Sequence, residues 1–140
     1  MYKTIGIFIL ILAFSSCVAG AGELVEISCD KCAYKSETLH EGSSGLGIAK
    51  GIVYCDACKQ FYSISIKNYA EDTTTIAQPI GKKEFLGKMR ITYPCPKCGS
   101  EAYLYYSEET TPGRDKPSKE EICPICKKGK LRKQMTGKWD

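Results

Sequence analysis

Eight cysteines form four copies of one short motif, C-x-x-C, and they are the residues of this chain best suited to chemistry. The four pairs are Cys29/Cys32, Cys55/Cys58, Cys95/Cys98 and Cys123/Cys126. A C-x-x-C turn presents two thiolates to one point, and two such turns complete a tetrahedron of four sulfurs. The sequence therefore predicts two structural metal sites, with two zinc ions as the expected cofactors.

The four motifs are spaced as a repeat. The first and third lie 66 residues apart, and the second and fourth lie 68 residues apart. Gaps of 22 and 24 residues separate the motifs within each copy, whereas 36 residues separate Cys58 from Cys95. Since each copy carries a complete ligand set and the shorter loops cost slightly less entropy to close, we expect each copy to close its own site. This predicts Cys29/Cys32 with Cys55/Cys58, and Cys95/Cys98 with Cys123/Cys126.

Short β-prone stretches must hold these turns in place. They lie at residues 24–27, 51–54, 61–67, 89–93 and 102–106, and are rich in β-branched and aromatic residues or alternate apolar with polar. No helical stripe extends over ten or more residues after the N-terminal segment, so helix should be minor. We expect a small, mainly β, metal-stabilised fold. It would have two units of short antiparallel strands, at residues 22–67 and 89–140, and a connector at 68–88 with one extra strand near 74–80.

Two of the turns resemble the rubredoxin-like knuckles of zinc-ribbon proteins. They are Cys95-Pro96-Lys97-Cys98-Gly99 and Cys123-Pro124-Ile125-Cys126, and the resemblance covers roughly residues 27–62 and 91–130. The resemblance implies a tandem zinc ribbon. It predicts the fold and the metal ligands, and it does not predict a particular activity. The two earlier turns lack the Pro and Gly of these knuckles, so the first site is expected to be the weaker one.

Other uses of the cysteines stay open from sequence. Exported proteins meet oxidising conditions in which disulfides form. The same four thiolates also accept iron, as in a rubredoxin-like electron-transfer protein. A thiol-disulfide redox protein needs C-x-x-C at a helix N-terminus, and no helical pattern follows any of the pairs. Because the sequence has no Ser/His/Asp set, open zinc site or nucleotide-binding loop, we expect a binding or scaffold module for an unknown protein partner rather than an enzyme.

The charge balance argues against nucleic acid as a partner. The formal net charge is +4. Loss of Lys3 with the N-terminal segment leaves 19 basic and 16 acidic side chains, and two tetrathiolate zinc sites of −2 each bring the total to −1. The lysines beside the turns are therefore expected to offset thiolate charge. They are Lys31, Lys59, Lys97 and Lys127.

Residues 1–21 have the layout of a secretory signal peptide. A positive start precedes the apolar run from Ile5 to Phe14, which is too short for a transmembrane helix. The segment Phe14-Ser15-Ser16-Cys17 resembles a bacterial lipobox, which implies lipidation of Cys17, the one cysteine outside the four pairs. Ordinary cleavage after Ala19 or Ala21 is the alternative. The protein is thus expected in the cell envelope, anchored to a membrane through Cys17 or secreted.

The remaining features are expected to be structural. His40 reads as a surface-loop residue, residues 41–47 and 108–121 as exposed loops, and residues 127–138 as a solvated basic tail. Four aromatic residues either pack on a sheet or form a binding surface. They are Tyr103, Tyr105, Tyr106 and Trp139.

Overall fold

The structure, a computed structural model, describes residues 22–44, 47–68, 76–107 and 120–139. Eight strands account for most of them, and no helix occurs within these ranges. The strands are β1 (Gly22–Cys29), β2 (Leu39–Ser43), β3 (Ile48–Cys55), β4 (Gln60–Asn68), β5 (Gly81–Phe85), β6 (Lys88–Pro94), β7 (Glu101–Tyr106) and β8 (Leu131–Trp139). The prediction of a mainly β fold is confirmed.

All strands belong to one antiparallel sheet. Its order is β5-β6-β7-β3-β2-β1-β8, and β4 pairs with the other side of β3. Two of these pairings join distant parts of the chain, namely β3 with β7 and β1 with β8. The first and second halves of the sequence are therefore interleaved in a single sheet.

Side chains alternate between two apolar clusters on opposite sides of β3. Ile52 and Tyr54 pack into the first cluster, whereas Val53 and Cys55 pack into the second. This follows from the two-residue period of a strand. A shift in the β3–β7 register beside Leu104 and Tyr106 brings both Tyr105 and Tyr106 into the first cluster. The two clusters are the cores on which the cysteine turns rest.

The five predicted strands are confirmed, but β2 and β8 were missed and the extra strand of the connector was misplaced. Residues 127–138 are not a solvated tail, because β8 pairs with β1 along its full length. Residues 41–43 belong to β2, and Glu41 and Ser44 are buried, so the predicted exposed loop is wrong there. The extra strand of the connector, β5, begins at Gly81 rather than near residues 74–80.

β5 and β6 form a tight hairpin at the edge of the sheet. Leu86 and Gly87 make its turn with φ values of 51° and 75°. Positive φ at both central residues is typical of a type I′ turn, which matches the strand twist. The hairpin carries β6 into the sheet beside β7 and so positions the turn that follows β6.

Candidate metal centres

Every C-x-x-C motif is the turn of a hairpin. The motif at Cys55 joins β3 to β4, and the motif at Cys95 joins β6 to β7. Isolated bridges close the other two turns, Ser28 with Lys35 and Ile122 with Lys130. Since β1, β3 and β6 run in the same direction and β8 runs against them, strand polarity puts all four turns at one end of the sheet.

The eight sulfurs gather into two groups of four. One group, the outer site, consists of Cys29, Cys32, Cys123 and Cys126. The other, the inner site, consists of Cys55, Cys58, Cys95 and Cys98. Within each group all sulfurs lie within 4.8 Å of one another. All eight cysteines predicted as ligands therefore lie in these two groups.

The predicted sharing of ligands is wrong. Each site takes one turn from each half of the sequence, so neither half closes its own site. Loop entropy opposes this only weakly, because a 90-residue gap costs about 1.3 kcal/mol more to close than a 22-residue gap. Strand pairing decides instead: β3–β7 brings the two inner turns together, and β1–β8 brings the two outer turns together.

The sulfur distances fit a tetrahedral ion. Sγ–Sγ distances are 3.6 Å for Cys29–Cys126 and 3.9 Å for Cys32–Cys123. In the inner site they are 3.6 Å for Cys55–Cys98 and 4.0 Å for Cys58–Cys95. Four thiolates at about 2.3 Å from a central ion lie about 3.8 Å apart, whereas disulfide sulfurs lie about 2.05 Å apart. All eight cysteines are free, and both sets match a metal tetrathiolate.

Backbone amides of the turns donate hydrogen bonds to the cysteine sulfurs. Amide N–H groups donate to Sγ in three of them, from Lys31 to Cys29 and from Lys97 to Cys95 at 3.4 Å, and from Gly129 to Cys126 at 3.3 Å. Such hydrogen bonds stabilise thiolate charge and orient the ligands.

A residue with a left-handed backbone conformation follows the second cysteine in three of the four turns. The φ values are 54° at Lys59, 75° at Gly99 and 57° at Lys127. Glycine is therefore not required there, although a non-glycine residue pays about 1–2 kcal/mol for this conformation. Each site also combines one turn of each sequence type, so the expectation of a weaker first site loses its basis.

Gly129 packs directly against the outer site, and its role was missed from sequence. A Cβ at this position would lie 2.4 Å from Cys29 Sγ and 2.8 Å from both Asp30 Oδ1 and Lys31 Cβ. Its carbonyl also accepts a hydrogen bond from the amide of Cys123 at 2.8 Å. The close approach of two outer turns thus depends on glycine. The signal in the sequence is a glycine three residues after a C-x-x-C motif.

In each site one thiol has a strongly lowered pKa and another has a strongly raised pKa. Hydrogen bonds from Ser100 lower the pKa of Cys98 to about 6, and backbone N–H groups of Lys128 and Gly129 lower the pKa of Cys126 to about 6. Burial raises the pKa of Cys55 and of Cys123 to about 12. In this geometry one thiolate per site is therefore favoured at neutral pH, and a cation at the site would favour ionisation of the buried sulfurs as well.

Charged side chains surround the turns at the surface. Lys59 Nζ lies 2.7 Å from Asp56 Oδ1, and Lys130 pairs with Glu120. The amide of Lys130 donates to Asp30 Oδ1 at 2.7 Å, which joins the two outer turns. The four lysines predicted to offset thiolate charge are all exposed.

The remaining candidate residues serve packing. His40 lies in β2 rather than a loop, and its ring meets Trp139 edge-on at 5.5 Å. The Trp139 indole N–H donates to the carbonyl of Glu41 at 3.1 Å. Tyr103 stacks on Phe85 at 4.1 Å, and Tyr105 and Tyr106 are buried. These contacts agree with the first of the two interpretations, in which the four aromatic residues pack on the sheet.

Cys17 and the rest of residues 1–21 lie outside the described residues. Within the part of the chain that the structure describes, no helix has the length and apolar character needed to span a membrane. Comparison of the chain with protein-family models, curated proteins and solved structures finds no match in any of the three. Evidence for function therefore comes from the two cysteine groups themselves.

Proposed function

We propose that this protein binds two zinc ions as structural cofactors and acts as an exported binding or scaffold module. The observation that carries the proposal is the gathering of eight free thiols into two sets of four, each with all sulfurs within 4.8 Å. Zinc favours tetrahedral thiolate ligands at this spacing, and four protein ligands leave no open position for a substrate. This coordination is typical of a structural site rather than a catalytic one.

The packing supports a structural role. Cys123 belongs to the first apolar cluster, and Cys55 and Cys95 belong to the second. Each ion would thus close one end of a core and hold together two hairpins that are distant in sequence. Structural zinc sites supply about 10–16 kcal/mol of apparent binding free energy, which exceeds the whole stability of many small domains. We therefore expect the folded state to depend on the metal.

Metal analysis of the purified mature chain tests the proposal. We expect two zinc ions per chain and eight thiols that react only after the metal is removed. Iron with visible thiolate-to-iron absorbance would instead support a rubredoxin-like electron carrier, since the same ligand sets accept iron. Fewer than one metal ion per chain together with disulfides between the cysteines would overturn the metal-binding proposal.

We further propose that Cys17 carries a lipid and holds the protein at a membrane of the cell envelope. Four residues separate Cys17 from Gly22, where β1 begins. The eight residues of β1 then rise about 23 Å to Cys29. The turns with their exposed lysines would face away from the membrane, available to a protein partner. Cys17→Ala should release the protein from the membrane fraction; unchanged fractionation, or a mature N-terminus at Gly20 or Gly22, would contradict the anchor.

A further inference from the structure

A buried ion pair connects the strand that leads to the inner site with the segment that leads to the outer site. Arg90 lies on β6, five residues before Cys95, and Glu121 lies two residues before Cys123. Arg90 Nη2 is 2.6 Å from Glu121 Oε2, with 6% and 12% of the two side chains exposed. Lys88 Nζ adds a second contact to Glu121 at 3.0 Å.

The pair is held in place from both sides. Arg90 stacks over the ring of Tyr105 at 3.8 Å and donates to the carbonyl of Leu104 at 3.3 Å. The carbonyl of Glu121 accepts from the amide of Leu131 at 2.8 Å, which closes the hairpin containing the outer turn. The ion pair is thus fixed to β6 and β7 at one end and to that hairpin at the other.

A second link joins the other two turns. The amide of Phe61, three residues after Cys58, donates to Tyr34 Oη, two residues after Cys32, at 3.3 Å. The Phe61 ring lies 5.1 Å from the rings of both Tyr54 and Tyr105. Since Tyr54 directly precedes the ligand Cys55, the segments next to both sites share one aromatic cluster.

We propose that the two sites bind metal cooperatively and that the Arg90–Glu121 pair is a main carrier of the coupling. The inference rests on the proposed zinc binding. A metal ion in the outer site fixes the hairpin from Ile122 to Lys130 and thereby holds Glu121 against Arg90. Arg90 in turn orders β6 and the turn that carries Cys95 and Cys98. Binding of the first ion therefore orders part of the second site in advance. This raises the affinity of the second site for its own ion.

The size of the effect sets a measurable expectation. Coupling between sites in proteins commonly changes affinity about 5- to 150-fold. For two sites of equal intrinsic affinity, independent binding leaves half of the chains with one ion at half-saturation. A tenfold coupling lowers that fraction to about a quarter. The one-ion fraction is thus a direct readout that requires no ligand substitution.

Native mass spectrometry of the full mature chain in a zinc–chelator buffer, poised at half-saturation, tests the proposal. We expect fewer than half of the wild-type chains to carry one zinc, and Glu121→Gln to raise that fraction. The matched control is Lys83→Gln, which removes an exposed ion pair with Glu101 of 2.8 Å beside the inner site without touching the outer one. It should leave the distribution unchanged.

Two results would overturn the coupling. They are no change with Glu121→Gln, or the same change with Lys83→Gln. Circular dichroism of each zinc-loaded variant checks that the sheet is retained. Failure of the proposed function looks different, because the wild-type chain would then bind no zinc at any buffered concentration.

Discussion

Replacing Gly129 by alanine should weaken the outer site selectively. The added methyl would lie 2.4 Å from Cys29 Sγ, whereas carbon and sulfur in contact normally lie more than 3.4 Å apart. The methyl would also meet Asp30 Oδ1 and Lys31 Cβ at 2.8 Å, so the whole Cys29 turn must retreat. A shift of about 1 Å is several times the roughly 0.2 Å tolerance of metal–ligand distances.

The magnitude follows from the cost of overpacking. Forcing a methyl into a filled space costs about 1–3 kcal/mol, which corresponds to a loss of about 5- to 150-fold in affinity if the metal-bound state bears it. The inner site lies on the opposite side of β3 and should keep its ion at saturating zinc. Gly81→Ala is the control, because a Cβ there meets nothing within 4 Å.

Competition with a chromogenic zinc chelator measures the zinc affinity of both sites. For Gly129→Ala we expect one ion to be released at a lower chelator concentration than in the wild type, while Gly81→Ala behaves as wild type. Release of both ions from Gly129→Ala with wild-type affinities would refute the packing argument, because the methyl would then have been accommodated without moving Cys29.

Two further predictions address the pairing of the ligands and the contribution of β8. The double change Cys95→Ser and Cys98→Ser should reduce bound zinc from two ions to one. A fragment of residues 22–67 should bind no zinc tightly, because its two turns belong to different sites. A tight one-to-one complex of zinc with that fragment would instead mean that this half of the chain closes its own site. A chain that ends at Lys130 lacks β8 and should lose the outer ion, as zinc analysis would show, whereas full occupancy would mean that β8 is dispensable.

Local sequence patterns predicted much of the sheet, and the missed strand β8 shows why they did not predict all of it. Residues 102–106 and 51–54 are apolar because both faces of these strands are covered, and both were predicted correctly. In β8 only a few side chains face the core, such as Leu131, while Lys133 reaches inward to Glu41 at 2.5 Å. An edge strand of this kind resembles a charged tail, because its burial depends on a partner strand far away in sequence.

The candidate metal sites, like the sheet, were only partly predicted from sequence. Sequence analysis predicted the eight cysteines and their four turns, yet it did not reveal what the supporting residues contact. The Arg90–Glu121 pair joins positions 31 residues apart, and Gly129 contacts Cys29 across 100 residues. Such contacts leave no periodic pattern in a single sequence.

The chemistry of this protein can be inferred from local sequence alone: eight thiols in four turns, a count that fits two tetrahedral sites, and short strands to carry them. Those features are local, because a C-x-x-C turn and a β-prone stretch are each set by a few neighbouring residues. The tertiary structure decided which turns meet. The entropy difference between short and long closures is about 1 kcal/mol, and the strand pairs β1–β8 and β3–β7, whose side chains fill the two apolar clusters, outweigh it.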